Sequence, residues 1–197
     1  MRIPLLFCFL FSFQHLQAQE NVNFDDSIFI YRSLKEASLH PEKVFRLHLN
    51  KAKLDTFPAE ILTFINLTEL DLSKNRMEEI PGGIGNLVNL RRLNLANNKL
   101  VHLPPEIGRL KNLEFLGLNR NVLEDLPSTI GGLQNLEVLE LWDNELQDVP
   151  DEISELGNLK MLEMRGILFT PDQLQRIDSL VVKSAKVLLS PGCDCKN

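Results

Sequence analysis

Five prolines fall 23 residues apart, at Pro58, Pro81, Pro104, Pro127 and Pro150, and the other patterns in the chain keep step with them. Asparagines follow the same beat at Asn75, Asn98, Asn121 and Asn144, and a second series stands at Asn66, Asn89, Asn112, Asn135 and Asn158. A period of this length constrains a chain more than any local motif. One such unit cannot bury its own apolar face and must stack on copies of itself. The protein is therefore read as a one-dimensional array in which each unit touches only its neighbours.

One unit reads L-x-x-L-x-L-x-x-N-x-L and then x-x-(L/I/V)-P-x-x-I-x-x-L, as in Leu90, Leu93, Leu95, Asn98, Leu100, Leu103, Pro104, Ile107 and Leu110. The L-x-L segment alternates with period two. Leu93 and Leu95 point to one side and Arg92, Asn94 and Ala96 to the other, as in a short strand with one buried face. Each unit then adds one strand to a parallel sheet. The asparagine follows where the chain turns inward, and a buried amide there satisfies backbone groups of its own and adjacent units. Proline opens the return segment, at the first position of a helical turn, where its missing N–H is no loss. Gly82-Gly83 and Gly131-Gly132 recur with the unit and read as turn residues.

On these residues the chain resembles the leucine-rich repeat family, closely over 67–156 and more weakly over 44–64 and 159–174. The L-P-x-x-I-x-x-L return segment is similar to bacterial members of Bacteroidetes and spirochaete type and to the intracellular Ras-associated and plant groups, among which the N-terminal apolar run favours the exported bacterial set. The resemblance implies an α/β solenoid, a curved horseshoe whose concave parallel sheet has about six short strands, closed by helical caps. It also implies protein–protein interaction as the usual activity, without naming a partner. Ala52 and Ile167 replace asparagine in the first and last units, where a neighbouring coil is missing or atypical. Upstream, Asp26 or Ser27 is expected to cap a helix carrying Ile30, Leu34 and Ala37 and ended by His40-Pro41. Downstream, Thr170-Pro171-Asp172 starts a helix with Leu174, Ile177 and Leu180 as its apolar stripe, followed by a strand near 187–189.

The expected organisation is a secretory signal over 1–18, an N-terminal cap over 19–43, repeats over 44–169, and a C-terminal cap and tail over 170–197. Arg2, the apolar run from Ile3 to Phe13 and the small Ala18 fit an export signal cleaved near Ala18, and the run is too short to span a bilayer. Its removal takes away one cation and no acid, so the formal charge of −6 becomes −7. That balance argues against nucleic acid as a partner. No segment is expected to cross a membrane, and a secreted or periplasmic location follows.

No catalytic constellation is present. His40, His48 and His102 fall at unrelated places in their units and read as solvated histidines, so no enzymatic activity, cofactor or metal is expected. Cys193 and Cys195 in the tail are candidates for a disulfide, although bridging i to i+2 closes too few residues to stabilise much. The sequon Asn66-Leu67-Thr68 lies in an asparagine column that the turn before the strand already explains.

Function then falls to the outward face of the strands. Its first column is Arg46, Glu69, Arg92, Phe115, Val138 and Met161, its second His48, Asp71, Asn94, Gly117, Glu140 and Glu163, and its third Asn50, Ser73, Ala96, Asn119, Trp142 and Arg165. The N-terminal half is polar. In the other half Phe115, Val138 and Met161 form an apolar row beside Trp142, Glu140 and Glu163, a composition suited to holding a protein or peptide ligand. Gly117 leaves a hollow between Phe115 and Glu140 for a partner group. Two other readings stay open at this point: a carbohydrate-binding face with Trp142 as platform and Asn119, Glu140 and Asp143 as partners, and a thiol-redox or enzyme-accessory role of Cys193 and Cys195. Equally open is whether the apolar row is a site or is covered by the cap or tail.

Overall fold

The computed structural model describes residues 29–181 and 185–189. The expected signal, Asp26, Ser27, Cys193 and Cys195 lie outside them. The described residues form one eight-stranded parallel sheet in strict chain order. Its strands are β1 (Ile30–Tyr31), β2 (Arg46–His48), β3 (Glu69–Asp71), β4 (Arg92–Asn94), β5 (Phe115–Gly117), β6 (Val138–Glu140), β7 (Met161–Met164) and β8 (Lys186–Leu189). Registers from β2 to β7 advance by 23 residues per strand, so Leu47, Leu70, Leu93, Leu116, Leu139 and Leu162 meet in one inward row. All six are fully buried.

The four ladder asparagines are buried, and each uses its amide in the same way. Asn121 donates through Nδ2 to the carbonyls of Leu118 at 2.8 Å and Leu95 at 3.1 Å, while its Oδ1 accepts the Leu100 N–H at 3.0 Å. Asn75, Asn98 and Asn144 repeat the set with their own and the preceding coil. The carbonyls of Leu72, Leu95 and Leu118 each receive two amides, one from the same coil and one from the next. Just before this column the backbone turns left-handed at Lys51, Lys74, Asn97, Arg120, Asp143 and Gly166, five of them residues with a β-carbon. The second asparagine series is also a ladder, on the exposed flank. Asn66, Asn89, Asn112, Asn135 and Asn158 each donate to a carbonyl 24 residues earlier. The Asn66 amide and the Thr68 hydroxyl are thus both engaged, to Glu42 and Phe45 carbonyls.

Return segments are 3-10 turns at Ala59–Thr63, Gly82–Asn86, Pro105–Arg109, Ser128–Gly132 and Asp151–Glu155. The repeat prolines sit one residue earlier than expected, at the cap, with φ near −66 to −73° and an extended ψ. There the fixed φ suits the extended entry, and the proline carbonyl accepts the N–H of the buried isoleucine three residues on, as Pro104 does from Ile107 at 3.0 Å. Gly82, Gly83, Gly131 and Gly132 lie in these turns, as expected, and one glycine in each of three return segments also marks a close approach to the next coil. A β-carbon on Gly85, Gly108 or Gly131 would lie 2.5, 2.1 or 2.8 Å from a carbonyl oxygen of the next coil, so adjacent return segments touch backbone to backbone.

The ends also differ from expectation. Ile30 belongs to β1, paired with Arg46, and the helix before His40 is only α1 (Leu34–Ala37), entered at Ser33. Pairing with β2 satisfies the backbone of this segment where the next coil offers an open edge. At the other end α2 (Pro171–Leu180) starts with a capping box in which Thr170 and Gln173 exchange hydrogen bonds, and it buries Ile177. Arg176 fixes it to Asp148, Asp151 and the Val149 carbonyl. β8 then extends the sheet past the six strands anticipated, setting Lys186 beside Met161 and Leu188 beside Glu163.

Asn121→Ala deprives the buried Leu100 N–H of its acceptor, while the Leu95 and Leu118 carbonyls each keep one amide. The expected loss is about 1–3 kcal/mol in denaturant unfolding, and an unchanged midpoint would contradict the ladder energetics. Gly108→Ala forces the return segments apart and is expected to destabilise by roughly 2–3 kcal/mol on the scale of overpacked sites, measured the same way.

Candidate functional site

Once the leucines face inward, the outward columns are what the sheet presents to solvent, and they divide into two electrostatic regimes. Over β2 and β3 the charges are mutually satisfied. Arg46 donates through Nε to one oxygen of Glu69 at 2.7 Å, and His48 Nε2 lies 2.6 Å from the other. His48 is half-buried and paired, in contrast to the solvated state expected for it. Asp71 accepts the Ser73 N–H at 2.9 Å, and Asn94 that of Ala96 at 3.1 Å. Burial alone would raise the Glu69 carboxyl, but the hydrogen bonds and charges of Arg46 and His48 outweigh it and hold the group below its ordinary range.

Over β5 to β7 the apolar row assembles as the register requires, with Phe115, Val138 and Met161 side by side and all half-buried. The aromatic rings are not bare. The Arg92 guanidinium lies 4.5 Å from the centre of Phe115, and that of Arg120 lies 4.7 Å from the centre of Trp142. Such contacts contribute about 0.5–1 kcal/mol at exposed sites. Arg120 also stands 3.5 Å from Asp143. The hollow expected at Gly117 is filled from within. A β-carbon there would lie 3.0 Å from the edge of the Phe115 ring and 3.0 Å from Asn94 Oδ1, so glycine makes room for Phe115 and leaves no recess for a partner.

The two acids of this half have different surroundings. Glu163 is 7% exposed and accepts Nε of Arg165 at 2.7 Å, with a second, shorter contact from the same guanidinium. The carboxylate of Glu140, its neighbour in register, makes no hydrogen bond or salt bridge to any described residue. Burial, and then the adjacent Glu163, push its carboxyl above the ordinary range, and Arg92 offsets this only in part. Neither covering arginine was legible as such, because Arg92 lies one whole period before Phe115 and Arg120 lies on the diagonal to Trp142. Asn119, the expected sugar partner, is only 8% exposed, and Arg120 occupies one face of Trp142. These surroundings give no support to a carbohydrate site.

The description "Leucine-rich repeat region" matches 105–188 and "Leucine rich repeat" matches 65–123. Together they run over most of the described chain, in step with the 23-residue coil and its asparagine ladder. The protein belongs to the leucine-rich repeat family. Among solved structures it is similar to a leucine-rich repeat protein of Leptospira interrogans, at 34% identity over 83% of this chain and 49% of that one, with a TM-score of 0.60. It is also similar to the ectodomain of the Arabidopsis thaliana membrane receptor kinase GASSHO1/SCHENGEN3, solved with Casparian strip integrity factor 2, at 36% identity over 74% of this chain and 18% of that one, TM-score 0.61. The plant peptide hormone receptor RGFR1, in complex with RGF2, shares 30% identity over 83% of this chain and 27% of that one, TM-score 0.65. The chain thus spans half or less of these relatives. No curated protein sequence matches it significantly. Among the described residues no helix is long and apolar enough to cross a membrane.

Two of the outward acids, Glu69 and Glu140, are expected to act on stability with opposite sign. Glu69→Gln removes a carboxylate whose folded pKa is depressed, so it should destabilise by about 1–3 kcal/mol at neutral pH, the range for hydrogen bonds to a charged group. That difference fades as pH falls through the folded pKa, below the ordinary 4.5. Glu140→Gln removes a group whose folded pKa is raised, so it should stabilise at neutral pH, with no gain below 4.5. Urea midpoints at neutral and acid pH for both variants check the pair.

Proposed function

We propose that this protein is a non-catalytic, exported scaffold that binds a protein or peptide through the C-terminal half of its concave sheet. The observation that carries the reading is the cluster of Phe115, Val138, Met161 and Trp142, two of its rings overlaid by arginines, with Glu140 and Glu163 at its edge. Core requirements explain the inward leucines but not an outward apolar row, since the same column is charged at Arg46, Glu69 and Arg92. A half-buried aromatic and arginine cluster is the composition of a binding hot spot. Two relatives at 30% identity or more were solved with ligands in complex, which supports a protein or peptide as the partner class. Export rests on the apolar run before Ala18.

Phe115→Ala with Trp142→Ala is expected to weaken binding of peptides selected from a random displayed library by at least about 2 kcal/mol, the scale of a hot spot. Stability should change little, because neither side chain belongs to the leucine core. Glu69→Ala with Asn94→Ala in the polar half should leave the same binding nearly intact. If the polar pair abolishes it and the aromatic pair is silent, the site lies elsewhere.

A further inference from the structure

The outward acids of β2 to β7 are Glu69, Asp71, Glu140 and Glu163, and three of the four already have partners. Glu69 has both oxygens engaged by Arg46 and His48, Asp71 accepts the Ser73 N–H, and Glu163 is held by Arg165. The Glu140 carboxylate hydrogen-bonds to no described residue. Arg92, the nearest cation on the β4 side, is drawn onto the Phe115 ring. On the far side stands another carboxylate, Glu163, in register on β7 and roughly 4.8 Å away strand to strand. Arg120 lies on Trp142, where it approaches Asp143. Glu140 is therefore half-buried between apolar side chains, beside a like charge, with no cation of its own.

That arrangement is unfavourable in the free protein, and the attraction of one added cation offsets both the cost of burying the carboxylate and the repulsion from Glu163. The surroundings fix the rest of the ligand. Val138 and Trp142 lie two positions either side of Glu140 on the same outward face, and Phe115 closes the β5 side over Gly117. Arg92 and Arg120 already lie over one face of Phe115 and of Trp142, so the carboxylate is the stronger attraction for an incoming cation. The net charge of −6 also favours the approach of a basic partner.

We propose that the concave face selects peptide segments that present a lysine or arginine flanked by apolar residues, with the cation received at Glu140 and the apolar neighbours on Val138, Met161 and Trp142. This rests on the binding face described above and adds the chemistry of what it takes.

The test is a displayed random-peptide library panned on the full chain, on Glu140→Gln and on the Phe115→Ala, Trp142→Ala double variant. Wild-type protein should enrich peptides with a basic residue between apolar ones, and Glu140→Gln should lose the basic enrichment while keeping the apolar one. One selected peptide is then synthesised with its lysine and with norleucine in its place. The exchange should cost the wild type about tenfold or more in affinity. Glu140→Gln should bind the two peptides within about twofold of each other, which isolates the pairwise coupling. A wild-type selection without basic enrichment, or one rich in aspartate and glutamate, overturns the proposal. So does a Glu140→Gln protein that still prefers lysine as strongly as the wild type. Retention of all binders by the aromatic double variant, or no binder to the wild type, instead overturns the concave-face reading and this proposal with it.

Discussion

The structure depends on the carboxamide of one asparagine per coil. Each strand ends by turning its backbone into a leucine-filled interior, where carbonyl and amide groups have no water to meet. Asn75, Asn98, Asn121 and Asn144 answer this with two donors and one acceptor apiece, shared between a coil and its predecessor. No other uncharged side chain short enough for that position offers both functions in one planar group. The same bonds dictate the period. A residue inserted between strand and asparagine would move the amide away from carbonyls that only it and its neighbour reach.

Since packing and the ladders use the inward rows and the loops, the outward columns are left free to vary, and they do so abruptly. The polar half closes its charges on itself around Glu69, which strengthens the fold and leaves little for a partner. The other half keeps Glu140 in surroundings that disfavour its charge. Two neighbouring glutamates, Glu140 and Glu163, thus show the contrast within one strand spacing: the deeper has an arginine and the shallower has none. If Glu140→Gln stabilises the fold as expected, the proposed binding role of Glu140 supplies a reason for keeping the acid that exposure alone does not.

Features contained within one coil were legible in the sequence. The six central strands, the inward asparagine and the helix from Thr170 follow from period-two alternation, a polar residue among leucines and a Thr-Pro start. What was missed lies between coils or outside the repeat. Ile30 looked helical because its spacing to Leu34 and Ala37 fits a helix, but the open edge of β2 offered it hydrogen bonds that a short helix could not match. The close approach at Gly85, Gly108 and Gly131 was not readable, because nothing in one coil shows how near the next one passes. The left-handed column from Lys51 to Asp143 carries Lys, Asn, Arg and Asp, so no single residue type at that place in the coil announces its backbone conformation. Of the site, the apolar row was readable from register alone. Its arginine covers and the ring seated on Gly117 were not, because they depend on rotamers directed across strands.

The glycine contacts between return segments bear on the shape of the surface a partner meets. In a stack of wedge-like units the bend of the array follows from the small rotation each repeat adds, and so from how much wider a unit is on its outer side than on its sheet side. On the sheet side strand pairing fixes that width near 4.8 Å. On the outer side it is set by what separates one return segment from the next, and at Gly85, Gly108 and Gly131 a carbonyl of the next coil comes too close for a β-carbon. These three residues, remote from every outward side chain of the sheet, thus act as thin shims under an arch. Thickening one would tighten the arch locally and bring Phe115, Val138 and Met161 closer at their tips, altering the fit of a ligand without changing any residue that touches it.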